Sequence, residues 1–346
     1  MYGAILEQPA AFAQVVESAW SHGRQIAERL GQGRPAHIVG TGTSLHAGRI
    51  AHYLLRPLLP AGVQTMAAMD FALYPPPLRR DDVAVVISHR GSKHYSVASA
   101  RQAQTAGCWC ALITGQGQSA AAAHADCVVH TVAQERSSAH TVSFVAAVAA
   151  LSTVASHLQG GWLTRAYLQD SIPPLLAAAV AQDEAARRLA VWHQRRRRIW
   201  LAGAGPSGVI AQEIALKIQE TSYMDAVGMD LDAMMHGPFQ ASTADDLFIL
   251  ICPDGPAAGR LGDVAKAVAA IGAHVLLVGD GPGCRAAGGG LESLRLPEAY
   301  EPFSALACAV VLQLLTYHLA VGRGTNPDGF HLEQPSFAAA AQCLRL

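Results

Sequence analysis

The chain has 346 residues, a net charge of −1, 51% hydrophobic residues and 15% charged ones, a length that exceeds what one hydrophobic core serves comfortably and points to two domains of similar size. The near-neutral balance gives no electrostatic case for nucleic acid or a membrane surface, and no apolar run reaches the roughly 18–20 residues that span a bilayer. The opening MYGAILEQPAAF lacks a basic stretch followed by an apolar core, so secretion is not expected either.

In chain order, AHIVGTGTSLHAGRIAHYLL (residues 36–55) reads as a buried strand, a glycine turn and an amphipathic helix. The apolar run Val83–Ile87 is a second buried strand, and ISHRGSKHYS (87–96) leads from it into an Ala-rich helix. AGCWCALITG (106–115) is a third strand, and the stretch from Phe144 to Leu151 belongs to a helix. A helix starts at Ile172–Pro174, and another is expected over Asp183–His193. The arginines Arg195–Arg198 read as a solvated face before a strand. RIWLAGAGPSGVIAQEIALKI (198–218), DDLFILIC (245–252) and IGAHVLLVGD (271–280) then repeat the first three segments. The apolar helix 305–321 is a packing surface or plain core, and residues 323–328 close the second domain.

The repeat carries the fold assignment. Gly40, Gly42 and Ser44 match Gly203, Gly205 and Ser207 at an offset of 163 residues; DDVAVVIS matches DDLFILIC at 164, and the third pair matches at 165. An offset that drifts by two residues while order and spacing persist is what duplication with small insertions produces. Alternating strands and helices in each half imply parallel sheets covered on both faces, with ligands beyond the carboxyl ends of the strands. The expected class is α/β, two αβα sandwiches in tandem. The boundaries are a helical segment at 1–25, a first domain at 26–170, a second at 171–325 and a tail at 326–346.

The strand ends carry the chemistry. GTGTS is no dinucleotide fingerprint, since GxGxxG would need glycine at Leu45. Hydroxyls at Thr41, Thr43 and Ser44 suit phosphate or sugar oxygens, and Ser44 is also a candidate helix N-cap. The turn after Ile87 adds Arg90 and Lys93, more positive charge than a cradle of hydroxyls and backbone needs. Lys217 and Glu220 lie three apart on one helix face, which alone suggests an ion pair. The seven cysteines show no paired spacing beyond Cys108-Trp109-Cys110 and read as reduced thiols of a cytoplasmic protein. The fifteen histidines form no HExxH motif, so neither a metal nor another cofactor is expected.

GTGTSLHA, ISHRGSKHYS, QERSSAHTVSF and QEIALKIQE with HGP downstream resemble, in order and spacing, a tandem sugar isomerase (SIS) domain protein. The resemblance runs from about residue 30 to 330. It is similar to the isomerase half of glucosamine-6-phosphate synthase and to amino-sugar-phosphate deaminases and isomerases. The resemblance implies a phosphosugar site at Gly42, Thr43 and Ser44 with the loop Ser88, His89, Arg90, Gly91, Ser92 and Lys93, and further contacts from Glu135 and His140. It assigns Glu220 as the base that moves a proton between C1 and C2, Lys217 as its electrostatic partner and His236 as the ring-opening histidine. It also implies a homodimer, with a small-molecule sugar phosphate as ligand and neither nucleic acid nor membrane as partner.

Two departures stand out. Arg90 and Lys93 replace small hydroxyl residues, and no lysine follows Lys266, where the synthase keeps one near its end. His331 and Glu333 are the tail residues nearest that role. The leading expectation is aldose–ketose isomerisation of a sugar phosphate or deamination of an amino-sugar phosphate. The alternatives are a non-catalytic sugar-phosphate sensor, or an ammonia-accepting subunit without a glutaminase domain.

Overall fold

The computed structural model describes residues 1–159, 161–285, 291–331 and 334–344. The chain divides into two compact units. One comprises Ala10–Arg136, His140–Pro173 and the described residues from His331 onward; the other comprises Met1–Pro9, Ser137–Ala139 and Pro174–Phe330.

The first unit is built on five parallel strands: β1 (Ala36–Gly40), β2 (Val63–Ala67), β3 (Val83–Ile87), β4 (Trp109–Gln116) and β5 (Cys127–Ala133). Their order is β2-β1-β3-β4-β5. The second unit has β6 (Ile199–Gly203), β7 (Ala226–Asp230), β8 (Leu247–Ile251), β9 (His274–Gly279) and β10 (Glu292–Arg295), also parallel. Their order is β10-β9-β8-β6-β7. Read from its other edge, this is the first order again, so the duplication in the sequence is a duplication of topology.

The central strands are apolar throughout because helices cover both faces of each sheet. All five residues of β1, β3, β6 and β8 are buried. Each fully buried Val or Ile contributes about 1.5–3 kcal/mol relative to leaving it exposed. The side strands β2, β5, β7 and β10 mix buried and accessible positions. They were absent from the sequence reading because they lack a continuous apolar run.

The helix Thr43–Leu55 follows β1, and its counterpart Pro206–Ser222 follows β6. Both start from a glycine in nearly the same unusual conformation, Gly42 at φ 54, ψ −124 and Gly205 at φ 56, ψ −128. Side chains avoid that region, which explains why glycine stands at both positions. The N-cap of the first helix is therefore Gly42, with no side-chain cap bond. Ser44 does not cap it, as the sequence suggested, but lies inside the first turn with its N–H donating to Thr41 O at 3.1 Å.

Asp183–His193 is a helix, as expected. Glu301–Gly322 is longer than the expected apolar run. Its 22 residues contain an 18-residue window of mean hydropathy 1.8 and reach the length and composition that cross a membrane, because the regular helix takes in residues on both sides of the apolar stretch. Yet 78% of its most apolar window is buried inside the protein, and it packs on Asp183–His193 and Pro206–Ser222 as core. Cys108, Cys110, Cys127, Cys252, Cys284 and Cys308 are buried free thiols, whereas Cys343 is exposed. The Sγ atoms of Cys252 and Cys284 lie 2.8 Å apart.

Candidate functional site

In the first unit, a small hollow of about 10 Å³ lies at the carboxyl ends of the strands, lined by Thr43, Ser44, His89, Thr114, Thr131 and Ser143 with apolar neighbours. Thr43 and Ser44 come from the start of the helix Thr43–Leu55, where the helix dipole favours an anion. The turn after β3 forms one edge. Ser88 is buried and its carbonyl accepts from Gly91 N at 3.0 Å. Gly91 stands at φ 62, and a Cβ there would meet Ser119 Oγ at 1.9 Å, so no other residue fits this turn without rebuilding it.

Arg90, Ser92 and Lys93 are exposed on the turn. Among the described residues, neither Arg90 nor Lys93 has a carboxylate partner. The Lys93 ammonium is held below the ordinary lysine range, chiefly by partial loss of water around it and then by the Arg90 charge. Two cations without a carboxylate partner on one turn raise the local positive potential there.

His89 faces inward. It is buried, its carbonyl accepts from Gly115 N at 2.8 Å and Thr114 Oγ1 at 3.3 Å, and its ring Nε2 accepts from Glu135 N at 3.0 Å. The register of β4 against β5 shifts between Thr114 and Gln116, which places Gly115 against the ring. Burial lowers the proton affinity of His89, the Glu135 charge opposes this and the Arg90 charge reinforces it.

Glu135 is itself buried, and its carboxylate is engaged. Oε1 accepts from Thr141 N at 2.8 Å, Thr141 Oγ1 at 3.2 Å and Val142 N at 3.3 Å; Oε2 accepts from Ser143 N at 3.0 Å and Ser143 Oγ at 2.5 Å. It thus closes the amino end of the helix Val142–Gln159. Burial pushes its pKa up, but the bonds from Ser143 and Thr141 and the nearby His140 outweigh that and hold it below the ordinary carboxylate value. Thr141 and Ser143, hydroxyls of the QERSSAHTVSF stretch, both donate to this carboxylate. The His140 ring meets the His89 ring edge-on with centroids 5.0 Å apart.

In the second unit, the helix Pro206–Ser222 carries a charged row. Lys217 is 1% exposed, and its Nζ lies 2.7 Å from Glu220 Oε2 and 3.7 Å from Glu213 Oε1. The expected pair is therefore a buried triad, not a surface bridge. Glu213 is fully buried, while Glu220 keeps 21% of its side chain accessible. Sequence reasoning missed Glu213, although its signal was present, with Glu213, Lys217 and Glu220 at i, i+4 and i+7 on one face. The buried ammonium lies between two carboxylates and orients the outer one, which remains reachable from solvent.

His236 is exposed, follows the helix Leu231–Met235 and places Nε2 at 3.5 Å from Asp232 Oδ1. In the tail, Glu333 lies outside the described residues, and the His331 ring packs on Phe337.

The SIS domain family model matches residues 32–157 and 193–323. The chain is 30% identical over 340 residues to the isomerizing glutamine–fructose-6-phosphate aminotransferase of Zymomonas mobilis, covering 94% of this chain and 56% of that protein. It therefore spans about half the length of the curated relatives it matches. The C-terminal domain of glucosamine-fructose-6-phosphate aminotransferase from Francisella tularensis has the same fold, with a TM-score of 0.86 at 21% identity over 95% of this chain and 98% of that one. The tagatose-6-phosphate ketose/aldose isomerase of Escherichia coli follows with a TM-score of 0.78 at 18% identity, over 92% and 91% of the two chains. With one matched segment on each sheet and the same strand order in both, the chain belongs to the SIS domain family and carries the domain twice.

Proposed function

We propose that this chain acts on a sugar phosphate or amino-sugar phosphate, moving a proton between C1 and C2 through an enediol-type intermediate. The observation that carries the reading is the Glu213–Lys217–Glu220 row, with two groups buried and the outer carboxylate accessible. Glu220 takes the proton from one carbon and returns it to the neighbour, and Lys217 balances its charge. His236 serves ring opening, moving a proton from the anomeric hydroxyl to the ring oxygen. The anionic end of the ligand belongs to Ser88, Arg90, Gly91, Ser92 and Lys93 of the turn and to Thr43 and Ser44, while the inward-facing His89 supports that turn. Isomerisation and loss of ammonia share this intermediate and differ in the substituent at C2. The resemblance also implies a homodimer, which light scattering reads directly.

The test is exchange of the C2 proton in deuterated water with fructose 6-phosphate, glucose 6-phosphate and glucosamine 6-phosphate. Wild type exchanges at least one of them. Glu220→Gln still binds it but exchanges slower by about 10²–10⁴-fold, the range of a lost general base. Full exchange by Glu220→Gln removes the catalytic assignment. The second reading, a sugar-phosphate sensor, is favoured by the lack of lysine after Lys266; it requires tight binding and no exchange in wild type.

A further inference from the structure

We propose that the cationic turn is kept in its anion-binding form by a neutral His89 ring that accepts from Glu135, so that acid releases the turn. This rests on the reading of that turn as the anion site. His89 is then a positioning residue and does not itself touch the ligand.

The geometry leaves the ring one role. Its Nε2 faces the Glu135 backbone N–H at 3.0 Å and can only accept there. The proton of the neutral ring is therefore on Nδ1, which is buried, has no partner among the described residues and lies where a Cβ on residue 115 would come within 2.8 Å. Ligand access to Nδ1 is closed, so the ring serves the turn. Through its carbonyl the same residue is stitched to Gly115 and Thr114, and through its ring to Glu135, whose carboxylate holds the helix Val142–Gln159. Arg90, which follows His89 directly, takes its position from this anchor.

A second proton on the ring would set N–H against N–H and break the anchor. The charged or titratable groups around the ring are Arg90 on its own turn, and Glu135 and His140 from the segment before the helix Val142–Gln159. The facing residues of β4 and of the helix Thr43–Leu55, among them Thr114, Gly115, Thr43 and Ser44, carry no charge. Arg90 and burial oppose protonation while Glu135 favours it, and the net effect places the change below the ordinary histidine range. Anion affinity is then full at neutral pH and falls as pH drops through that lowered value.

The experiment measures fructose 6-phosphate affinity from pH 5 to pH 8 for wild type, His89→Gln and His89→Leu. Gln offers a carbonyl acceptor that does not titrate; Leu offers none. The expected result is that His89→Gln binds within about threefold of wild type at pH 7.5. It also loses less affinity in acid, and because the ligand's own ionisation is common to both proteins, the difference is His89's. His89→Leu binds about tenfold weaker throughout, as for one lost hydrogen bond. Parallel acid limbs in wild type and His89→Gln overturn the proposal, as does a His89→Leu affinity equal to wild type. Nitrogen-15 spectra of the free protein give an arm independent of function. An unprotonated Nε2 is expected at pH 7.5, and a protonated Nε2 overturns the assignment even when sugar phosphate binds. Failure of wild type to bind any sugar phosphate, with the tautomer as expected, overturns the functional reading and the anion role of the turn with it.

Discussion

At the scale of single residues, Lys217 shows how much a pair of letters conceals. Three residues apart on a helix, Lys and Glu usually make a solvated bridge of small worth. Here the ammonium is buried between Glu213 and Glu220, and removing it leaves a fully buried carboxylate without its counter-charge. Lys217→Met is expected to destabilise the protein by about 3–5 kcal/mol, the range for breaking a buried pair. Glu213→Gln in the same chain is expected to restore part of the loss. Denaturant unfolding of the three variants checks both statements, and additive effects would contradict the coupling. Arg90 and Lys93 were legible as charges in the sequence. That His89 between Ser88 and Arg90 turns inward was not, because only the folded turn brings Glu135 from 46 residues away to its ring.

At the scale of elements, the legible parts were those buried on both sides. β3 was named to the residue because five consecutive apolar side chains admit no other reading. β2, β5, β7 and β10 were not, since side strands with one accessible face show neither a continuous run nor a clean alternation. The helix start at Val142 was legible only in part. Hydroxyls crowd its start, but the anion closing it is Glu135, seven residues before the helix begins. That carboxylate carries a prediction. Because its folded pKa is depressed, it contributes stability that is full above the unfolded glutamate value and is lost as pH falls through the folded one. Glu135→Gln is expected to cost about 1–2 kcal/mol at pH 7, as for a lost helix cap. The cost shrinks as pH falls through that depressed folded value, where wild type protonates the same group. Thermal unfolding across an acid pH series reads the difference, and a cost that stays constant through wild-type acid unfolding would contradict the capping role.

At the scale of the whole molecule, two copies of one topology carry different chemistry. The strand-end sequence ISHRG in the first unit is ICPDG in the second, so the cationic turn is not repeated, and the carboxylate-bearing helix face of the second unit has no acidic match in the first. Duplication supplied the scaffold, and substitution left a cationic turn in one half and a carboxylate-bearing helix face in the other. The cysteines show the same scaffold from another side. The thiols of Cys108 and Cys127 are pushed up to about 11 and that of Cys110 to about 12, chiefly by burial. Among the described cysteines, only Cys343 stands in solvent. A chromogenic disulfide reagent should therefore titrate one sulfhydryl promptly in the folded protein and all seven in guanidinium. The slow release of colour from the concealed six then times how often either half breathes open, without any label having to be engineered.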